Sequence, residues 1–148
     1  AKRSSVERFV EANNRMYPTA LSEIRAGRKW SHWIWYIFPQ MRGLGHSPNS
    51  EFYGIESLTE AEAFLEHPIL GARLREITQA MLTHKGKDAQ AILGPIDSMK
   101  LRSSMTLFDI LCPNDIFAEV LNVFYDGNRC KHTLRKFGNE DKITQTKD

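Results

Sequence analysis

The chain has 148 residues, of which 41% are hydrophobic and 26% are charged, a composition typical of one soluble globular domain. It has two cysteines, which do not form a C-x-x-C pair, and this excludes a disulfide framework and a zinc module of paired cysteines. The net charge of +2 excludes a strongly basic protein whose charge alone would indicate nucleic acid or an anionic membrane.

The apolar runs are too short for a signal peptide or a membrane-spanning helix. The longest, residues 30–38, is interrupted by Ser31 and His32. Together with the low cysteine content, this predicts a cytoplasmic protein that does not bind membranes.

Charge is unevenly distributed along the chain. Residues 25–50 contain four basic residues, two histidines and no acid, whereas residues 51–66 contain five glutamates and no base. This distribution predicts a locally positive region on the surface.

Helical periodicity in nearly every segment predicts a mainly α, single compact domain of about six to eight helices over residues 1–138. A polar, mobile tail is expected over residues 139–148. The first helix begins with a capping box, Ser4-x-x-Glu7, and ends at Gly27. Pro18 is expected to kink or divide it.

Ser31 is placed to cap a short tryptophan-rich helix that ends at Pro39. After it, residues 39–53 are rich in glycine, proline, serine and asparagine, which predicts a long loop. Loops of this length are often functional.

Four further helices are predicted from capping residues and apolar spacing. Ser57-x-x-Glu60 begins one, and Pro68 is expected in the first turn of the next, which ends by Gly86. Residues 88–93 form a short helix, and Asp97 is expected to cap the long helix that follows Gly94-Pro95.

Residues 113–115 are predicted to begin another helix, which ends before Gly127. A last short helix is predicted over residues 131–137.

All three tryptophans lie in residues 28–40, and neighbouring positions of a helix point about 100° apart, so these rings cannot all face one core. One interpretation is that they fill the core from a buried helix. The other is that Trp33 or Trp35 forms the stacking wall of a ligand pocket.

Basic residues precede this helix and follow it. Arg28, Lys29 and the backbone N–H groups near Ser31 suit an anion such as phosphate. Arg42, Gly43 and Gly45 lie in the following loop, where glycine permits close approach to a ligand. A solvated basic face with ordinary turn glycines explains the same pattern.

Two groups of residues are candidates for catalysis. His32 is a candidate general acid or base, or a hydrogen-bonded structural histidine. Lys100 lies at helical spacing from Ser103 and Ser104, which suits an activated serine nucleophile. Alternatively, the serines allow close helix packing and Lys100 pairs with Asp97.

No histidine or cysteine spacing matches a metal-binding motif, so we expect neither a metal nor a cofactor.

Two motifs of this sequence resemble the domain of unknown function 1810 family, some of whose members carry a calpastatin-like label. The first runs from Lys29 through Ser31-His32-Trp33-Ile34-Trp35 to Gln40, Gly43 and Gly45, and the second is the segment 100–108. The resemblance extends to about Gly138. It implies a single, mainly helical domain and brings no established reaction.

We therefore hypothesise that the two motifs meet and form one aromatic and basic pocket for a small anion, such as a nucleotide or an ADP-ribose-like molecule. Whether the pocket also processes the ligand stays open. The alternative is a protein-interaction or regulatory module without activity. The low net charge does not favour a long nucleic-acid track.

Overall fold

Nine α-helices and one π-helical turn make up most of residues 6–138, the part of the chain that our computed structural model describes. The mainly α prediction is confirmed, and four of the nine helices have only three to six residues. The helices are α1 (Glu7–Ala26), α2 (Ile34–Ile37), α3 (Pro48–Tyr53), α4 (Leu58–Glu66), α5 (Leu70–Leu82), α6 (Ala89–Leu93), α7 (Pro95–Leu111), α8 (Ile116–Tyr125) and α9 (Lys131–Thr133), followed by the π-helical turn Leu134–Gly138. The predicted cap at Ser4 and the predicted tail lie outside the described residues.

Helix α1 continues through Pro18 without division. Proline removes the hydrogen bond to the carbonyl four residues earlier, that of Asn14. Both residues are exposed, so water can satisfy that carbonyl. The predicted end is confirmed, because Gly27 adopts the left-handed conformation and its N–H donates to the carbonyl of Ile24.

The predicted cap at Ser57 is confirmed, because its side chain accepts a hydrogen bond from the first turn of α4. Asp88 and Asp115, at which further helices were predicted to start, cap α6 and α8 in the same way. Two other predicted caps, Ser31 and Asp97, are wrong. Helix α2 begins at Ile34, and α7 begins at Pro95, so that Asp97 lies inside its first turn. Pro68 precedes α5 instead of lying in its first turn.

The predicted loop over residues 39–53 is shorter than expected, because its second half forms α3. Ser47 accepts a hydrogen bond from the N–H of Ser50, and Pro48 occupies the first turn, where its missing N–H costs nothing. In the first half, Met41 pairs with Ile55 in an isolated parallel bridge. The remaining loop thus lies between α2 and α3.

Helix α7 is central and packs against α2, α4, α6, α8 and α9. Several of its apolar residues are fully buried, among them Leu101, Met105 and Phe108. The chain after α8 returns along α7, where the N–H of Cys130 donates to the hydroxyl of Thr106 at 3.0 Å. This return brings residues 127–134 beside the second sequence motif.

Candidate functional site

The carboxylate of Glu23 lies where the sequence predicted an external anion. Glu23 is buried in α1, and its Oε1 accepts hydrogen bonds from the backbone N–H groups of Trp30 and Ser31 at 2.9 and 3.0 Å. The Ser31 hydroxyl donates to Oε2 at 2.6 Å, and the indole Nε1 of Trp33 donates to Oε1 at 2.9 Å. These donors are therefore occupied by the protein's own carboxylate.

The same hydrogen bonds hold Glu23 ionised. Burial raises the pKa of Glu23, but the hydrogen bonds from Ser31, Trp30 and Trp33 outweigh burial and lower the pKa to about 2. Glu23 thus acts as a fixed internal anion that orders the segment between α1 and α2.

Lys29 joins the two sequence motifs but does not reach solvent. Its ammonium lies 2.7 Å from Asp97 of α7, donates to the Ser31 carbonyl at 2.5 Å, and lies 4.8 Å from the centre of the Trp33 ring. The Lys29 side chain is only 5% exposed, so it serves an internal ion pair. A pair between Lys100 and Asp97 was one of the two alternatives that the sequence offered. In the structure, Asp97 pairs with Lys29 instead.

Several other predicted site residues differ in their exposure to solvent. His32 is exposed, whereas Trp33 and Ser104 are fully buried in the core. Arg42 forms an ion pair with Glu56. Within the described residues, no hydrogen bond joins any two of the proposed catalytic residues His32, Ser103 and Ser104.

The remaining candidates in the first motif are mainly supporting residues. Arg28 is exposed and lies 6.0 Å from the Trp30 ring. Gly45 permits close packing, because an added Cβ would lie 2.5 Å from the Ser50 hydroxyl. Trp35 is half-buried, and the Lys100 ammonium lies 5.3 Å from its ring centre.

One large groove does bring residues of both motifs together. It encloses about 1130 Å³ between the loop after α2, the exposed side of α7, and the turn from α8 into α9. We call it the α7 groove. Its lining residues are Gln40, Gly43, Leu44, Ile96, Met99, Lys100, Arg102, Ser103, Gly127, Asn128, Arg129, Cys130, Lys131, His132 and Leu134.

The α7 groove is positively charged. Four of its lining residues are lysine or arginine, and none is acidic. Within residues 6–138, no carboxylate forms an ion pair with Lys100, Arg102 or Lys131. Arg129 is different, because Asp109 lies 3.1 Å from its guanidinium and holds it in place. An anion entering the groove would meet three uncompensated cations.

Ser103 and Cys130 line the bottom of the α7 groove. The Ser103 hydroxyl lies 3.2 Å from the Cys130 sulfur and 3.2 Å from the Met99 carbonyl, so its one hydrogen can be donated to either. Burial raises the pKa of the Cys130 thiol, but hydrogen bonds from Ser103 and from Thr133 and His132 outweigh burial and leave the pKa below its ordinary value.

The edges of the groove are apolar. Ile96, Met99 and Leu134 are 68%, 61% and 37% exposed, which is unusual for side chains of this size. The groove therefore combines cations with an apolar surface.

Gln40, Gly43, Lys100 and Ser103 of this groove belong to the two sequence motifs, whereas residues 127–134 belong to neither. A signal was present, because residues 127–138 carry four basic residues, one histidine and no acid. The three tryptophans lie in residues 28–35 and favoured a site there instead.

The described segment contains no group of three or more His, Cys, Asp or Glu side chains arranged for a metal ion. None of its helices is long and apolar enough to cross a membrane.

Comparison with known proteins gives a structural relative and a family. The chain is 43% identical to the conserved hypothetical protein Rv1873 from Mycobacterium tuberculosis, whose crystal structure it matches with a TM-score of 0.87, over 90% of this chain and 96% of that one. No curated protein matches. The family described as "Protein of unknown function (DUF1810)" matches residues 3–137. The chain therefore belongs to the DUF1810 family, whose motifs contribute both the Lys29 ion pair and part of the α7 groove.

Proposed function

We propose that this protein binds a small organic anion of the nucleotide or ADP-ribose type in the α7 groove. The observation that carries the proposal is the set of three cations, Lys100, Arg102 and Lys131, which line one groove without a carboxylate partner in residues 6–138. Charged groups that are left unpaired at a concave surface are suited to bind an oppositely charged ligand.

The lining supports a ligand with two chemical parts. Phosphate oxygens would be bound by Lys100, Arg102 and Lys131, because guanidinium and ammonium groups donate charge-assisted hydrogen bonds. A planar base would pack against the exposed side chains of Ile96 and Met99.

The size and the polar residues of the groove fit the same class. Its volume of about 1130 Å³ is slightly larger than that of most small-molecule sites, which leaves room for a nucleoside and a diphosphate. Gln40 and Asn128 supply amide groups that can bind base edges or ribose hydroxyls. Space beside Gly43, where an added Cβ would meet nothing within 4 Å, leaves the loop side of the groove open.

The test is the thermal stability of the purified protein with adenosine, AMP, ADP, ADP-ribose, NAD, ribose 5-phosphate and inorganic phosphate. A ligand at about a hundred times its dissociation constant stabilises the native state by about 2.7 kcal/mol, which raises the melting temperature by roughly 5–10 °C. We expect this rise with ADP or ADP-ribose and not with uncharged adenosine. No rise with any phosphorylated compound would contradict the proposal.

Three lysine variants locate the site. Lys100→Met removes one groove cation, so we expect it to weaken ADP binding by roughly 10- to 100-fold. Lys85→Met makes the same change at an exposed position outside the groove and should keep wild-type binding.

Lys29→Met leaves Asp97 unpaired, so we expect it to lower the stability of the free protein by about 3 kcal/mol.

The exposed apolar residues of the groove also favour a second candidate, an interaction module for an acidic peptide. Ile96, Met99 and Leu134 would act as apolar anchors beside the cations. Binding of an acidic peptide, lost in Lys100→Met, together with no response to any nucleotide, would favour this candidate over the first.

A further inference from the structure

The bottom of the α7 groove contains a cysteine in an unusual setting. Cys130 is 6% exposed, yet it lines the groove next to Ser103, whose hydroxyl lies 3.2 Å from the Cys130 sulfur. The other cysteine, Cys112, is more exposed, lies at the end of α7, and does not line the groove. The two thiols therefore differ in surroundings within one chain.

The surroundings of Cys130 favour a sulfur anion. The Ser103 hydroxyl can donate to the sulfur at 3.2 Å. The Thr133 side chain is fully buried, and its hydroxyl makes no hydrogen bond to any described residue. A Cys130 thiolate would accept hydrogen bonds from this hydroxyl and from the amides of Thr133 and His132. Donors of this kind around the sulfur stabilise the thiolate relative to the thiol.

The cations of the groove supply a second, independent feature. Lys100, Arg102 and Lys131 line the same groove as Cys130 and have no carboxylate partner in the described segment. They would concentrate negatively charged molecules at the thiol.

We propose that Cys130 is a site of reversible thiol–disulfide exchange with small anionic disulfides that enter the α7 groove. The inference rests on the proposed function for its preference for anions, and it adds a covalent chemistry that anion binding alone does not require.

The exchange involves one bond formed and one bond broken. The Cys130 thiolate, having released its proton to solvent, attacks one sulfur of the disulfide. A bond forms between Cys130 Sγ and that sulfur, the original S–S bond breaks, and the other half leaves as a thiolate that takes up a proton. Cys130 is oxidised to a mixed disulfide and the leaving half is reduced, so no other oxidant is needed. The attached anionic group then occupies the groove.

The test compares three disulfides of different charge on the full-length protein. Oxidised glutathione is anionic, bis(2-hydroxyethyl) disulfide is neutral and cystamine is cationic. Mass spectrometry of the intact protein measures the rate of adduct formation, and peptide mapping assigns each adduct to Cys130 or Cys112. The rate of each reagent is divided by its rate with a free small thiol, which removes differences in intrinsic reactivity.

We expect oxidised glutathione to modify Cys130 before Cys112, although Cys112 is the more exposed thiol. The corrected rate at Cys130 should be at least roughly tenfold higher for the anionic reagent than for the cationic one, and this ratio should fall as salt is added. At Cys112 the three reagents should give similar corrected rates.

Two matched variants test whether a cation of the groove determines the rate of adduct formation at Cys130. Lys131→Gln should slow the anionic reagent at Cys130 and leave the neutral reagent nearly unchanged, whereas Lys85→Gln should change neither. The wild-type comparison of two cysteines in one folded chain needs no variant, so it stays informative if a variant folds poorly.

Faster modification of Cys112 than of Cys130, or equal rates of the anionic and cationic reagents at Cys130, would overturn the inference. The proposed function fails separately. Nucleotide stabilisation with an inert Cys130 would reject only the exchange, and selective exchange without nucleotide stabilisation would reject only nucleotide binding.

Discussion

Glu23 occupies the hydrogen-bond donors of the tryptophan-rich segment, so these donors are not available to a ligand. A carboxylate that accepts four hydrogen bonds from Trp30, Ser31 and Trp33 fixes this segment against α1. The residues that suggested an anion site in the sequence do surround an anion, but it belongs to the protein. The site that we propose for an external anion is therefore the α7 groove, and not this segment.

The lowered pKa of Glu23 makes stability depend on pH in a defined direction. Because its folded pKa, about 2, lies below its ordinary value of 4.5, ionised Glu23 stabilises the fold above pH 4.5, and this contribution is lost as the pH falls toward 2. We expect Glu23→Gln to lower the free energy of unfolding at pH 7 by about 2 kcal/mol, since buried donors lose a charged acceptor. Urea unfolding at a series of pH values measures the difference between wild type and variant.

The matched control is Glu62→Gln, which removes a carboxylate at an exposed position of α4. It should change stability little at pH 7. A wild-type advantage over Glu23→Gln that stays constant from pH 7 down to about pH 2 would contradict the role given to the Glu23 charge.

At the scale of the helices, the side chains that cap a helix have local partners. Ser57, Asp88 and Asp115 cap their own helices, and each hydrogen bond spans no more than three residues. Ser31 and Asp97 have the same residue types but distant partners, Glu23 and Lys29. Local spacing cannot reveal that a residue far along the chain will compete for a side chain.

The groove was only partly predictable for the same reason. Lys100 and Ser103 were found because they lie in one recognisable motif on α7. Cys130 and Lys131 reach the groove through the return of the chain after α8, which depends on tertiary contacts such as that between Cys130 and Thr106.

Gly71 controls how closely α4 and α5 approach. An added Cβ at this buried position would lie 1.9 Å from the carbonyl oxygen of Leu65, which is far inside van der Waals contact. We expect Gly71→Ala to lower the free energy of unfolding by at least about 2 kcal/mol, although alanine is the better helix former. Chemical denaturation measures the loss. Ala72→Gly, at the exposed neighbouring position, is the control and should cost about 1 kcal/mol.

An alanine variant at position 71 that equals or exceeds the wild-type stability would show that α4 and α5 lie further apart in solution. The packing explanation for this glycine would then be wrong.

At the scale of the whole molecule, ion pairs determine which basic residues keep an uncompensated charge. Arg25, Lys29 and Arg42 pair with Glu76, Asp97 and Glu56, so that three of the four basic residues in the stretch 25–50 are in ion pairs. The basic stretch over residues 25–50 therefore does not form the positive site. Uncompensated cations instead meet where α7 and residues 127–134 adjoin.

Concentration of these cations in a single groove predicts how binding should respond to ligand length and salt. A nucleotide bound as we propose would meet three cations that have no carboxylate partner among the described residues, and a longer strand would gain few further contacts because the net charge of the chain is only +2. We expect a short single-stranded oligonucleotide to bind no more than about threefold more tightly than ADP. Both affinities should fall only moderately as salt rises, since Lys100 and Arg102 are partly buried and such charges are screened less than exposed ones. Titration of both ligands by calorimetry at several salt concentrations measures this. Much tighter oligonucleotide binding with a steep salt dependence would instead indicate an extended nucleic-acid track, with the α7 groove as only one part of it.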